Sequence, residues 1–349
     1  MASSSTASPN VPYPAPPAPP SDYQVGFVGL GNMGCAMALN LSRGLAEMKL
    51  PPLLIYNRTR SKADELTKQQ GAHMRVADSV EQVGKECSLV FTSLSNDEAC
   101  TAVFKALCAG DESVRGGGQH GHRQSKHHIV YADTSTIYPS TTGELERLVS
   151  SVPKRHFIAA PAFGPPPSAR AGTLLFAIAG TYASKQALAP FCVPHMGRKI
   201  LDFGSDPEKA TTFKLIGNSM ILGTIELLSE TMTLADKTGV GSDRFYEFIQ
   251  EFFPAPSALG YGAKIKNNQF NGQDGFTLNG GIKDCTHIRR LATSVDCPMP
   301  TMDAAHSHLV AARANGGGDK DWSSLVGGQR ISAGLDPWEG KRPGLVKDE

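Results

Sequence analysis

The 349-residue sequence predicts an α/β protein: a Rossmann-like, doubly wound sheet followed by an all-helical C-terminal domain, the two joined through a long interdomain helix. Three observations predict it. A glycine turn joins an apolar strand to a helix within 25–44; strand-like and helical segments then alternate as far as residue 180; from residue 207 the apolar spacing is helical only. The expected domains are therefore a dinucleotide-binding domain at 22–205 and a helical substrate and dimerisation domain at 206–335. A disordered tail at 1–21 and a polar tail at 336–349 would flank them.

The first element carries the most information. VGFVGLGNMGCAMALNLSRG (25–44) is a dinucleotide-binding fingerprint: Gly29 allows a sharp turn after the strand, Gly31 lets the backbone approach a pyrophosphate, and Gly34 lets the helix pack closely on the sheet. Gly29, Leu30, Gly31, Asn32, Met33 and Gly34 are thus the expected phosphate-side contacts, with the helix N-terminus facing the phosphates. LLIY (53–56), a helix near 61–70, a short segment at 73–76 and a helix from 79 continue in βαβ rhythm. The strands SLVFTSL (88–94), HIVYAD (128–133), HFIAAP (156–161) and LLFAIAG (174–180) follow, which makes a mostly parallel sheet.

Between 111 and 128 the chain reads DESVRGGGQHGHRQSKHH, a composition that suits a solvated surface insertion. Metal binding by His120, His122, His127 and His128 is disfavoured, because no rigid frame or carboxylate accompanies them. The run from 207 has helical apolar spacing over more than thirty residues, with Gly239 as a plausible end. Helical stretches at 243–253, 281–294 and 299–315 complete the second domain without a convincing strand.

Composition narrows the function classes. A net charge of +1 gives no basic bias toward nucleic acid or an anionic membrane. The seven cysteines are scattered and never spaced as CxxC, so neither a disulfide framework nor a zinc site is expected, and a reducing compartment fits. No Lys or Arg precedes Arg43 and no apolar run spans a bilayer, so the expected location is the cytoplasm. The Ser-, Ala- and Pro-rich start reads as a tail unable to bury enough apolar surface to fold.

Lys214 and Asn218 lie four residues apart on the long helix and share one face. A partly desolvated lysine beside a nicotinamide could exchange a proton with a hydroxyl or carbonyl, and Asn218 could hold the same oxygen; the same spacing equally describes a solvated helix surface. Leu94 and Ser95 close one strand, and Ser135 and Thr136 the next, where ligands bind in open parallel sheets, although ADTSTIYP could also simply cap a helix. At the end of the second strand Asn57 stands where NAD-binding proteins place an acid. Arg58, with Thr59 beside it, could receive a 2′-phosphate, so NADP is the expected cofactor and NAD the lesser one.

GFVGLGNMGCAMALNL, DTSTIYP, AGTLLFAIAG, KLIGNSM and GFTLNGGIKD occur in the order seen in the β-hydroxyacid dehydrogenase family, within the 6-phosphogluconate dehydrogenase superfamily. The sequence resembles that family, and its 3-hydroxyisobutyrate dehydrogenases, over residues 23–325. The resemblance implies hydride transfer between nicotinamide and a small 3-hydroxy acid, a semialdehyde or a related carbonyl. It matches Lys214 to the catalytic lysine, Asn218 to its companion, Thr136 and Lys283 to cofactor contacts, and Asp284 to the acid of the KD pair, with no metal.

Family members usually carry a serine-glycine-glycine element after the fifth strand to hold a substrate carboxylate. Here APAFGPPPSARAGT puts Phe163 in place of the serine and Pro165 in place of the second glycine, leaving Phe163 and Gly164 beside the substrate and two fewer partners for a carboxylate. Two alternatives follow: an imine reductase-like enzyme on a neutral substrate, or a non-catalytic NADP-binding scaffold. Both kinds of relative tend to lose the lysine that this chain keeps. Apolar residues around the long helix, and the resemblance itself, imply a homodimer through the helical domain.

Overall fold

The computed structural model describes residues 10–69, 71–115 and 128–340. The chain divides into two compact units, one ending at Lys214 and the other beginning at Leu215. The division falls inside the long helix rather than before it.

The first unit contains β1 (Val25–Val28), α1 (Asn32–Glu47), β2 (Leu53–Tyr56), α2 (Arg60–Thr67), β3 (Met74–Val76), α3 (Val80–Glu86), β4 (Leu89–Thr92), α4 (Asp97–Arg115) and β5 (Ile129–Asp133). It continues with α5 (Pro139–Ser150), β6 (Arg155–Ala159), β7 (Ala162–Phe163), α6 (Pro166–Arg170), β8 (Leu174–Gly180), α7 (Tyr182–Cys192) and β9 (Gly197–Asp202). Strands β1, β4 and β5 are buried along their whole length, as parallel strands covered on both faces must be. The sheet order is β3-β2-β1-β4-β5-β6-β8-β7, with β9 on β8. Strands β1 to β6 pair in parallel, while β8 runs antiparallel to β6 and parallel to β9. Strand order reverses between β1 and β4, and the glycine turn leaves the sheet at that point. Two apolar clusters cover the sheet, one containing Phe27, Leu41 and Phe91, the other Val90, Phe104 and Tyr131.

Residues 10–21 are not a free tail. Tyr13 is 3% exposed and meets the Tyr182 ring edge-on at 5.9 Å, Asn10 O accepts from Ile200 N at 2.9 Å, and Gln186 Nε2 donates to Pro14 O at 3.1 Å. One buried aromatic suffices because the prolines leave little backbone freedom to lose. Residues 1–9 lie outside the described residues. The stretch from 111 to 115 continues helix α4, held by Arg155, which is buried and lies 3.5 Å from Asp111 and 3.2 Å from Glu112. The rest of the insertion, with His120, His122 and His127, lies outside the described residues. Strand β9, GRKILD, carries little strand signal of its own, since its two apolar residues are adjacent and charged residues flank them.

Helix α8 (Pro207–Lys237) crosses the division between units. After it come α9 (Ser242–Phe252), α10 (Pro256–Lys266), α11 (Leu278–Ser294), α12 (Pro300–Ala312) and α13 (Val326–Ser332). No strand occurs in this unit among the described residues, apart from an isolated bridge between Thr277 and Asp321. Helix α10 was unforeseen: its glycines weaken the pattern, although Pro256 is a favourable first residue. Residues 336–340 are also more than a polar tail. Trp338 packs against Phe270 at 6.3 Å, and Asp336 Oδ1 accepts from Trp338 N and Glu339 N at 2.8 Å. Residues 341–349 lie outside the described residues.

The helical core holds a carboxylate and an imidazole in contact. Glu226 on α8 is buried, and its Oε1 lies 2.6 Å from His308 Nδ1 on α12, while Oε2 has no hydrogen-bond partner among the described residues. The bond to Glu226 raises the His308 pKa above its ordinary value despite partial burial. A raised folded value means that the pair's stabilisation is complete below the ordinary histidine pKa and is lost as pH rises through the folded one. The melting temperature of wild type should therefore fall more than that of Glu226→Gln between about pH 6 and about pH 8. Parallel melting curves for the two proteins would remove this pair as the source.

Candidate active site

The turn after β1 holds two of its glycines tightly against neighbouring backbone and leaves the third open. Gly29 has φ of +98°, and a Cβ there would lie 2.2 Å from the Ser93 carbonyl oxygen; a Cβ at Gly34 would lie 2.0 Å from Gly29 O. Those two contacts weld the turn to β4 and to α1. At Gly31 a Cβ would meet nothing within 4 Å, and Gly31 caps α1 without a side-chain hydrogen bond. The backbone at Gly31 is thus open to close approach at the positive end of α1, which suits a pyrophosphate. Leu30 is buried, Met33 half-buried against the core, and Asn32 exposed.

Asn57 works within the protein. Its Oδ1 accepts from Leu30 N at 2.9 Å and its Nδ2 donates to Thr59 O at 2.9 Å, so it braces the glycine turn instead of presenting a free amide to a ribose. Arg58 and Thr59 are exposed beyond it. Arg58 makes no hydrogen bond or ion pair among the described residues, whereas nearby Arg60 is tied to Asp64 and Asp78.

At the ends of β4 and β5 the structure differs from expectation in one residue. The Ser135 hydroxyl, expected beside the substrate, is buried, donates to Asp133 Oδ1 at 2.6 Å and accepts from Leu94 N at 2.8 Å. Thr92 Oγ1 donates to the same Asp133 oxygen at 2.6 Å. A buried carboxylate that needs several donors has recruited the serine, so Ser135 joins two strand ends and sets the position of Leu94. Asp133 is the residue that sequence reading missed, although a lone acid closing an apolar strand is a readable signal. Ser95 is exposed and Thr136 half-buried at this rim.

Lys214, near the start of α8, is 8% exposed. Its Nζ donates to Ala162 O at 2.8 Å and lies 4.2 Å from the Phe163 ring centroid. The hydrogen bond fixes the direction of Nζ, and the ring packs against it. Phe163 meets Phe213 at 5.6 Å, and Phe213 meets Phe203 at 4.5 Å. Gly164 follows with φ of +136°, ahead of three prolines.

One turn further along the same helix, within the second unit, Asn218 is buried and its Nδ2 donates to Asp284 Oδ2 at 2.7 Å. Lys283 Nζ lies 3.0 Å from Asp284 Oδ1. Three of the expected residues, Asn218, Lys283 and Asp284, thus form one hydrogen-bonded and charged group on α8 and α11. Asp284 orients the amide so that its oxygen side is left for another donor. Chemically, the first unit offers a phosphate cradle and an ammonium, and the second an oriented amide with an ion pair.

Among the described residues, no group of three or more His, Cys, Asp or Glu side chains is placed to hold a metal ion. Among the same residues, no helix is long and apolar enough to cross a membrane.

Comparison with known proteins bears on this arrangement. Residues 24–204 match the family model of the NAD-binding domain of 6-phosphogluconate dehydrogenase, and residues 209–328 match that of the NAD-binding domain of NADP-dependent 3-hydroxyisobutyrate dehydrogenase. An uncharacterized oxidoreductase of Bacillus subtilis is 28% identical over 305 residues, covering 87% of this chain and 98% of that one. Glyoxylate/succinic semialdehyde reductase 1 of Arabidopsis thaliana is 28% identical over 312 residues, covering 88% and 99%. In fold, the chain is similar to 3-hydroxyisobutyrate dehydrogenase from Salmonella typhimurium, with a TM-score of 0.73 at 18% identity, covering 87% and 99%.

Proposed function

Because the chain belongs to the β-hydroxyacid dehydrogenase family of oxidoreductases, we propose that it moves hydride between NADP and a small 3-hydroxy acid, semialdehyde or related carbonyl. The observation that carries this reading is Lys214, buried with its Nζ hydrogen-bonded to Ala162 O, on the same helix face as Asn218. The bound dinucleotide would supply or accept the hydride. Lys214 would give a proton to the carbonyl oxygen in reduction and take it back in oxidation, and Asn218 would hold that oxygen with the Nδ2 hydrogen not given to Asp284. The cradle at Gly29, Gly31 and Gly34 would seat the pyrophosphate, with Thr136 as a further cofactor contact.

NADP rather than NAD is supported by Arg58, exposed and without an ion-pair partner among the described residues. The purified protein should bind NADPH and oxidise it in the presence of aldehydes or ketones. Tight binding of NADPH with no turnover of any carbonyl, or of any alcohol in reverse, would leave only a scaffold. All seven cysteines are free thiols, which fits the cytoplasmic setting we infer.

A homodimer through the helical unit is part of the same reading. Ile216, Met220, Leu227 and Leu234 are all exposed and fall within about 40° of one another around α8, and Phe248, Phe252 and Phe253 are exposed on and after α9. Sedimentation at micromolar concentration should give a dimer, and Leu227→Glu with Leu234→Glu should give a monomer. A monomeric wild type would end the dimer proposal.

A further inference from the structure

The surroundings of the Lys214 ammonium in the first unit favour one kind of substrate. Phe163, Phe213 and Phe203 form a chain of half-buried rings, linked at 5.6 and 4.5 Å, with Nζ 4.2 Å from the first of them. After Gly164 come Pro165, Pro166 and Pro167, which remove three successive backbone donors. The Ala162 carbonyl, bonded by Nζ, is an acceptor and would repel a carboxylate. Apart from the Lys214 ammonium, which the oxygen being reduced would itself occupy, an anion brought against this wall would lose its hydration and find few donors in return, whereas an apolar group would gain by leaving water.

Resting on the reading of Lys214 as the proton donor, we infer that the substrate is a neutral aldehyde or ketone bearing an aromatic or branched apolar group on the Phe163 side. Reduction opens the carbonyl π bond: the carbon receives a hydride at the expense of a reduced nicotinamide dinucleotide, and the oxygen receives a proton. The aromatic wall takes no part in that step and acts through selection.

The test compares kcat/KM with NADPH for phenylacetaldehyde and 3-methylbutanal against glyoxylate and succinic semialdehyde, using the whole chain. The neutral aldehydes should be preferred by about tenfold or more, the scale of discrimination an apolar pocket supplies. Phe163→Ser with Pro165→Gly should reduce that preference about tenfold, while Phe163→Leu should keep it. Phe163→Thr alone serves if the double variant does not fold. A wild type that prefers the two acids, or a preference unmoved in the folded polar variants, overturns the inference while the oxidoreductase reading stands. A wild type that binds NADPH and turns over neither class overturns both.

Discussion

Replacing Lys214 with alanine should lower kcat by about 10²–10⁴-fold, the range over which a positioned acid or base accelerates proton transfer. The size follows from placement: Nζ is held against Ala162 O and the Phe163 ring, so it needs little reorganisation before acting. NADPH affinity should change by less than a few-fold, because the phosphate cradle is formed by the turn after β1. Lys214→Met, which keeps length and apolar contact, should lose as much activity as alanine and so separates chemistry from packing. Steady-state kinetics beside fluorescence titration of NADPH would measure both. An alanine variant within twofold of wild type in kcat would remove Lys214 from the mechanism.

The second large effect is expected at Arg58. A guanidinium paired with a 2′-phosphate makes charge-assisted hydrogen bonds worth roughly 1.5–3 kcal/mol. Removing it should raise KM for NADPH about 10- to 100-fold and leave KM for NADH nearly unchanged. Arg58 is exposed, so the NADPH effect should also shrink as salt is added. Equal changes for the two cofactors would mean that Arg58 does not read the phosphate.

Much of this architecture is legible in the amino-acid order. LLIY and LLFAIAG form strands with the boundaries their apolar runs suggest, because strands buried on both faces need continuous hydrophobicity. The glycine turn is equally plain, since two of its glycines stand where any Cβ would strike backbone. What escapes is local sequence overruled by distant contacts. Tyr13 looks like part of a disordered tail until Tyr182 is beside it, and Ser135 looks like a ligand contact until Asp133 claims its hydroxyl. Strand β9 and helix α10 have weak patterns of their own and owe their form to neighbours.

The candidate site divides in the same way. The spacing of Lys214 and Asn218 can be read from four residues of sequence, but the bond from Asn218 to Asp284 joins positions 66 residues apart. Likewise the bracing of Leu30 by Asn57 spans 27 residues, and no motif announces it.

The docked N-terminal segment has a further consequence, for the behaviour of a shortened chain. Strand β9 pairs with β8 on one side, and the Asn10 carbonyl takes the Ile200 N–H on the other. Removing the first twenty-one residues would bare that rim and the apolar socket left by Tyr13, an invitation to strand-to-strand self-association. A chain trimmed of this segment should therefore precipitate for a reason unrelated to its chemistry, because the stretch around Asn10 is what covers the free edge of β9.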